Sequence, residues 1–495
     1  MTPFLTRPVA AAVLVVFTLV VPAAAQESAA KTAWTELRGF ARERGVLIAS
    51  QGVTDYGTSL IAQNVRIYLE DDPNSIAIIM PELRIEPRGE ALAMIPSPDF
   101  FITVLPDRST EYRLTVSHAG EIVADVSEDR IAFDLPFDRL RVLLTHAVSR
   151  GVDLEQQFST EFRGLSAQFE ALRTGSADLS VSAASARYSF LFSDPNARSP
   201  SRQTGDAEMT GLRIQFSGTE LDMLSSDEGM LRAAFDAGFA MRLAMGVETS
   251  SSISDQIIDG SRISFRSSSA VSEMAVDVAD GALTAHTLAQ GGQLSGGMAP
   301  FVGAASFDEV GMSFGFPLLV TPDDQTVGYQ FNFDNITATP ETLQLIGAQD
   351  FAGDAITIAL DVSAQGRLTE DFGPEFGESD DPPFDVTSVS LNQLLTRVGD
   401  AELNGTGAFT FLGGLMASIN AEAPNGTGDF VFNLIGGDAL LTRLNALGIV
   451  PPDQQFFARM MMNGLGRSVG EDHLQAEVAI RPGGAITVNG DPLPF

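Results

Sequence analysis

The run Gly311-Met312-Ser313-Phe314-Gly315 has the spacing of a G-x-S-x-G nucleophile elbow, in which a serine on a strained strand-to-helix turn attacks a carbonyl. Its surroundings read differently. Ser313 lies inside an alternating series, Val310, Met312, Phe314, Phe316 and Leu318, and Pro317 falls where the elbow would open a helix. The one histidine downstream is His473, before the last hairpin. The four histidines, His118, His146, His286 and His473, show no HxH or HExxH spacing, and without cysteine a zinc site would need three or four ligands drawn from these and carboxylates. Glu70-Asp71-Asp72, Asp323-Asp324 and Glu378-Ser379-Asp380-Asp381 offer oxygen to calcium but lack the D-x-D-x-D-G pattern and sit beside Pro or Gly, so they read as solvated turns. Paired carboxylates for glycoside hydrolysis are not singled out by spacing among 64 acids. The expectation is therefore no catalytic residue, no cofactor and no metal.

The 495 residues carry 64 Asp+Glu against 30 Lys+Arg, a formal charge of -34, and Lys31 is the one lysine. Such a charge argues against nucleic acid and against docking on anionic lipid, both of which select basic patches. Zero cysteines exclude disulfides, thiolate metal sites and a Cys nucleophile. A 44% hydrophobic share is that of a packed protein.

The N-terminus places Arg7 before an apolar run from Val9 to Val21, then Ala23-Ala24-Ala25. That is the pattern of a secretory signal peptide, 1–25, cleaved after Ala25; the run is shorter than the roughly 20 residues a helix needs to span a bilayer. The expected location is the periplasm, with no transmembrane span after cleavage.

Helical signals are few. Ala33, Trp34, Leu37, Phe40 and Ala41 form one apolar face stopped by Gly45; a second helix is expected over Asp227 to Ala237, closed by Gly238, and a third from Thr339-Pro340-Glu341 to Ile346. Most of the remainder alternates with period two, as in Ile76-Ile78, Leu179-Val181, Phe331-Phe333 and Ile356-Ile358-Leu360-Val362. Residues 152–172 fit a helix nearly as well through Phe158, Phe162, Leu165 and Phe169, and are read as strand. The fold expected is mainly β (α+β): long, curved antiparallel sheet, a few short helices, and a C-terminal helix pair packed on the sheet. A β-rich domain spans 26–367, an acidic Gly/Pro linker 368–384, and a C-terminal α+β module 385–495. An outer-membrane barrel is disfavoured because Pro492 and Pro494 interrupt what would be its closing strand.

In the last module Asn404-Gly-Thr-Gly-Ala-Phe-Thr-Phe411 recurs as Asn425-Gly-Thr-Gly-Asp-Phe-Val-Phe432. Gly405, Gly407, Gly426 and Gly428 form structural glycine lanes beside phenylalanines on the same strand face, over which the helix pair is expected to pack. No lysine follows either Gly-Thr-Gly, so neither is a phosphate loop. The first helix of the pair carries Leu440, Leu441, Leu444 and Leu447; the second, after Pro451-Pro452-Asp453, is expected to turn Phe456, Phe457, Met460, Met461 and Leu465 inward. Phe456, Phe457, Met460 and Met461 are candidate contacts for an apolar ligand or partner, because methionine adapts to irregular apolar surfaces.

SLNQLL at 390–395, DAELNGTGAFTF at 400–411, the 428–454 segment, ARMMM at 458–462 and the closing AITVNGDPL resemble the alphaproteobacterial family called domain of unknown function 2125, and the closing Val-Asn-Gly pattern is similar to domain of unknown function 945. The resemblance implies an exported Gram-negative envelope protein and brings no catalytic residues. The functional expectation is a non-enzymatic envelope protein that binds a lipid-like ligand or an envelope partner. The alternatives are a secreted hydrolase using Ser313 or a carboxylate pair, and a purely structural scaffold.

Overall fold

The computed structural model describes residues 28–493 except 44, 90, 127–129, 173, 195–200, 222–230, 259, 299–300, 346, 374–375, 378–381 and 420–424. The leader read at 1–25, the acids 378–381 and Phe495 lie outside these. The chain is mostly β, its strands paired antiparallel. It divides into two compact units, Met1–Leu221 with Arg242–Arg266, and Asp222–Met241 with Ser267–Phe495.

The first unit has a filled core. The helix Ala29–Glu43 buries Ala30, Ala33, Trp34, Leu37, Phe40 and Ala41, the stripe that the spacing predicts, and ends at Gly45, whose φ of 71° suits glycine. That stripe joins Leu60, Val65, Ile85, Phe133, Phe137, Leu165 and Phe169 in one buried cluster. At about 1.5–3 kcal/mol for each large side chain removed from water, this contact is the main source of the unit's stability. Arg130–Ser149, Gln156–Leu172, Ala177–Asp194 and Ser201–Thr219 are long consecutive antiparallel strands. The ambiguous segment is thus strand, with Leu165 and Phe169 turned into the core.

The second unit is built as a meander. Val271–Ala279, Ala282–Met298, Phe301–Pro317, Gln325–Ala338, Ile356–Leu368, Phe384–Val398, Ala401–Phe411 and Gly426–Ile435 each pair with the next. Gly426–Ile435 then pairs with His473–Arg481, and that strand with Ala485–Val488. The segment 368–384, read as a linker, connects two directly paired strands inside this unit. It packs on the end of the strand Phe301–Pro317: the Phe372 amide donates to the Leu318 carbonyl, and the Phe376 ring meets Phe316 edge-on at 5.9 Å. Asp371 accepts hydrogen bonds from Arg232 and from the Val320 amide. These bonds hold its carboxyl below the usual carboxylate range, the Arg232 guanidinium contributing most.

The short helices fall where capping residues stand. Pro340–Leu345 opens with the Thr339 hydroxyl accepting from the Thr342 amide and is followed by Gly347 at φ 71°. Of the helix expected over 227–237, Leu231–Asp236 is described, closed by Gly238 at φ 98°. Gly414–Ile419 is a further helix between the two glycine-phenylalanine strands. The pair at the end is Gly437–Ala446 and Pro452–Leu465. No described helix is long and apolar enough to cross a membrane.

Candidate apolar ligand surface

Period-two alternation and antiparallel register place apolar side chains of the second unit in cross-strand rows. One row runs Phe314, Tyr329, Val362, Leu391, Gly407, Phe430 and Val478. Beside it runs Met312, Phe331, Leu360, Leu394, Gly405, Phe432 and Ala476. A third is Val310, Phe333, Ile358, Thr396, Leu403, Leu434 and Leu474, in which Thr396 is the one hydroxyl. A bulge at Asn392 keeps Leu391 and Leu394 on the same face. Six inter-strand steps of about 4.8 Å make each row roughly 29 Å long.

This face differs from the core of the first unit in one respect: among the described residues of the second unit, no helix covers its middle. Met312, Phe314 and Tyr329 retain 45%, 38% and 37% of their exposure, and the other members of the two central rows are half-buried except Gly405. The large buried side chains of the second unit, such as Phe239, Leu318, Leu319 and Leu368, stand at strand ends and connections. An apolar carpet of this extent left in water is costly.

The glycine lanes belong to this face, and their role differs from the expectation. In the register Gly405 opposes Phe432, Gly407 opposes Phe430, Gly428 opposes Phe409 and Gly426 opposes Phe411. A Cβ at Gly405 would strike the Phe432 ring, and one at Gly407 the Phe430 ring. The lanes are therefore filled by phenylalanines of the neighbouring strand, not by the helix pair. Pairing the repeat with its own second copy makes this automatic, since antiparallel alignment sets each glycine against a phenylalanine. The same relation recurs at Gly205 with Phe190 and Gly292 with Phe307. It keeps the aromatic rings flat on the sheet instead of standing from it.

The helix pair meets the rows at one end only. A Cβ at Gly437 would lie near Leu434 and the Met462 methyl, and one at Gly466 near Leu474. Arg459 bonds Asp438 and donates to the Thr442 hydroxyl at 2.8 Å, which ties the second helix to the first. Its inward face is consequently Gln455, Ala458, Arg459, Met462 and Leu465. Phe456, Phe457, Met460 and Met461, expected inward, are 72%, 58%, 52% and 44% exposed. Of the residues expected inward Leu465 does turn in, beside Met462, while the two phenylalanines and Met460 and Met461 turn out.

The opposite face of the same strands is polar. Gln290 and Asn332 each donate to Glu309 at 3.0 Å, Ser313 donates to Gln330 at 3.0 Å, and Gln330 and Asn392 donate to Asp361 at 3.0 and 2.9 Å. Such cross-strand bonds fix register. A cavity of about 540 Å³ on this face is lined by His286, Glu309, Ser313, Gln330 and Asp361 among others. Ser313 and His286 are cross-strand neighbours, yet the serine hydroxyl is engaged with Gln330 in a regular strand with no strained turn. The sequence shows His473 as the one histidine downstream of Ser313 and gives no sign of His286, whose adjacency appears only once register is known. His473 opens the strand opposite Ile435, and His146 lies opposite Arg113. His118 donates through Nε2 to the Ser97 carbonyl at 3.0 Å, beside Phe100 and Phe137. Asp324 accepts from Arg367 at 2.7 Å and Thr387 at 3.0 Å, which lowers its pKa. Among the described residues no group of three or more His, Cys, Asp or Glu is placed to hold a metal.

A second cavity of about 540 Å³ lies on the polar face of the first unit, with Arg130, Asp134, Glu170, Asp178 and Arg242 in its lining. Arg130 there is bound to Glu170 at 2.6 Å. Its residues come from several strands with no local motif, so nothing in the sequence singled them out.

Comparison of the chain with protein-family models, with curated proteins and with solved structures finds no match to any of them.

Proposed function

We propose that this is an exported, non-enzymatic envelope protein that binds the acyl chains of a lipid along the apolar rows of its second unit. The observation that carries the reading is the set of rows through Met312, Phe314, Tyr329 and Phe331, apolar over seven strands and half-exposed. A row of roughly 29 Å is close to the thickness of a bilayer's hydrocarbon core, which two leaflets of chains fill, so it is longer than one extended acyl chain and accommodates it. Binding of this kind draws on shape and hydrophobic burial, with little demand for charge, which agrees with a face whose 21 row positions hold no charged side chain and two hydroxyls, of Tyr329 and Thr396. Export and an envelope location are supported by the leader-like N-terminus.

The test is titration of the chain, residues 26–495, with a fluorescent polyunsaturated fatty acid. Saturable fluorescence enhancement is expected, with at least a tenfold loss in affinity for the Met312→Asp/Phe314→Asp variant. No enhancement, or equal affinity in the variant, would refute the reading.

A further inference from the structure

The helix Pro452–Leu465 presents its largest apolar side chains to solvent and its arginine inward, the reverse of an ordinary surface helix. Phe456 with Met460, and Phe457 with Met461, are two i,i+4 pairs on adjoining lines of one face. We propose that this face is a docking element for a lipid bilayer of zwitterionic headgroups, entering the interface parallel to its plane. The proposal goes beyond acyl-chain binding on the sheet and stands without it.

Three features select this occupant. The helix holds one acid and one base, Asp453 and Arg459, and Arg459 is already paired with Asp438, so the outward face has no cation to offer an anionic surface. Interfacial helices that seek anionic lipid carry Lys and Arg beside their apolar face. With a formal chain charge of -34, an uncharged bilayer remains the compatible surface. Area argues against a second copy. At about 200 Å² per large side chain, the exposed parts of the four residues amount to about 450 Å², short of the roughly 800 Å² per partner in a standard stable interface. A bilayer sets no such minimum, and unbranched methionines beside phenylalanines suit a disordered acyl boundary. Finally, Met462 on the inner face of the same helix lies against Gly437 near Leu434, so the helix that bears the outward patch is anchored at one end of the apolar rows.

The experiment is flotation of the 26–495 chain with phosphatidylcholine vesicles, in parallel with vesicles of phosphatidylcholine and phosphatidylglycerol. The chain is expected to float with the neutral vesicles, equally in low and high salt, and less with the anionic ones. A Phe456→Ser/Phe457→Ser/Met460→Ser/Met461→Ser variant should lose at least tenfold of the bound fraction while keeping its circular dichroism and Tm, since the four positions are exposed. It should also still bind the fluorescent fatty acid, which separates this proposal from acyl-chain binding on the sheet. Failure of the wild-type chain to float, equal flotation of the variant, or a concentration-dependent dimer that the variant abolishes would overturn the proposal.

Discussion

Phe430 lies flat across Gly407, its ring occupying the place where any Cβ at that position would stand. The pair is the sequence repeat made into structure, since each copy supplies the glycine that the other's phenylalanine requires. Substituting Gly407 with Val overpacks the contact and is expected to cost about 1–3 kcal/mol, seen as a fall in Tm of roughly 3–10 °C. Phe430→Ala added to Gly407→Val should recover part of that loss, so the double variant is more stable than the sum of the singles implies. Thermal melts of the four proteins check this; strict additivity would mean that the two residues do not share the space.

Asp371 ties the 368–384 connection to Arg232 and Val320. Its folded-state pKa is lowered, so the stability it supplies is present above the ordinary carboxylate range and is lost as pH falls through the lowered value. Asp371→Asn should lower Tm by about 2–4 °C at pH 7 and flatten the decline of Tm between pH 5 and 3. Parallel Tm-versus-pH curves for wild type and variant would contradict the assignment.

Ser313 is a strand residue hydrogen-bonded to Gln330. Ser313→Ala is expected to cost less than about 1 kcal/mol and to leave ester hydrolysis by the purified chain at background. A turnover of p-nitrophenyl esters that the variant loses would revive the hydrolase alternative.

Met312 and Phe314 are exposed at 45% and 38%, so their aspartate variants should shift Tm by no more than about 1–2 °C in the lipid-free protein. Trp34, 3% exposed in the filled core of the first unit, should behave oppositely, Trp34→Ala costing about 3–5 kcal/mol. Differential scanning calorimetry of the three variants contrasts an uncovered sheet face with a covered one. Comparable losses at all three sites would show that the second face is a packed core.

Much of the fold was legible because period-two runs, helix caps and stop glycines act locally. The Trp34 helix and the Thr339 cap follow from neighbours a few residues apart, whereas the 156–172 strand, whose apolar spacing also fits a helix, is settled by its pairing on both sides. What the sequence did not disclose depends on register or on which of two faces turns inward. The runs Val310-Met312-Phe314 and Ile358-Leu360-Val362 were visible as strands, but each reads the same whether it meets a core or solvent. The helix Pro452–Leu465 was placed correctly and oriented wrongly, because which of its faces turns inward depends on partners distant in sequence, such as Asp438 for Arg459 and Gly437 beside Met462. The glycine lanes were found from the repeat, and their phenylalanine covers only from its pairing.

Native mass spectrometry of the chain purified from periplasm and membranes, followed by solvent extraction of what it carries, tests acyl-chain binding most directly. The expected spectrum shows added mass in the range of one or two lipids, absent from Met312→Asp/Phe314→Asp and retained in the helix variant at 456, 457, 460 and 461. A chain that is bare from both sources, and stays bare after incubation with lipid extract, would contradict the account.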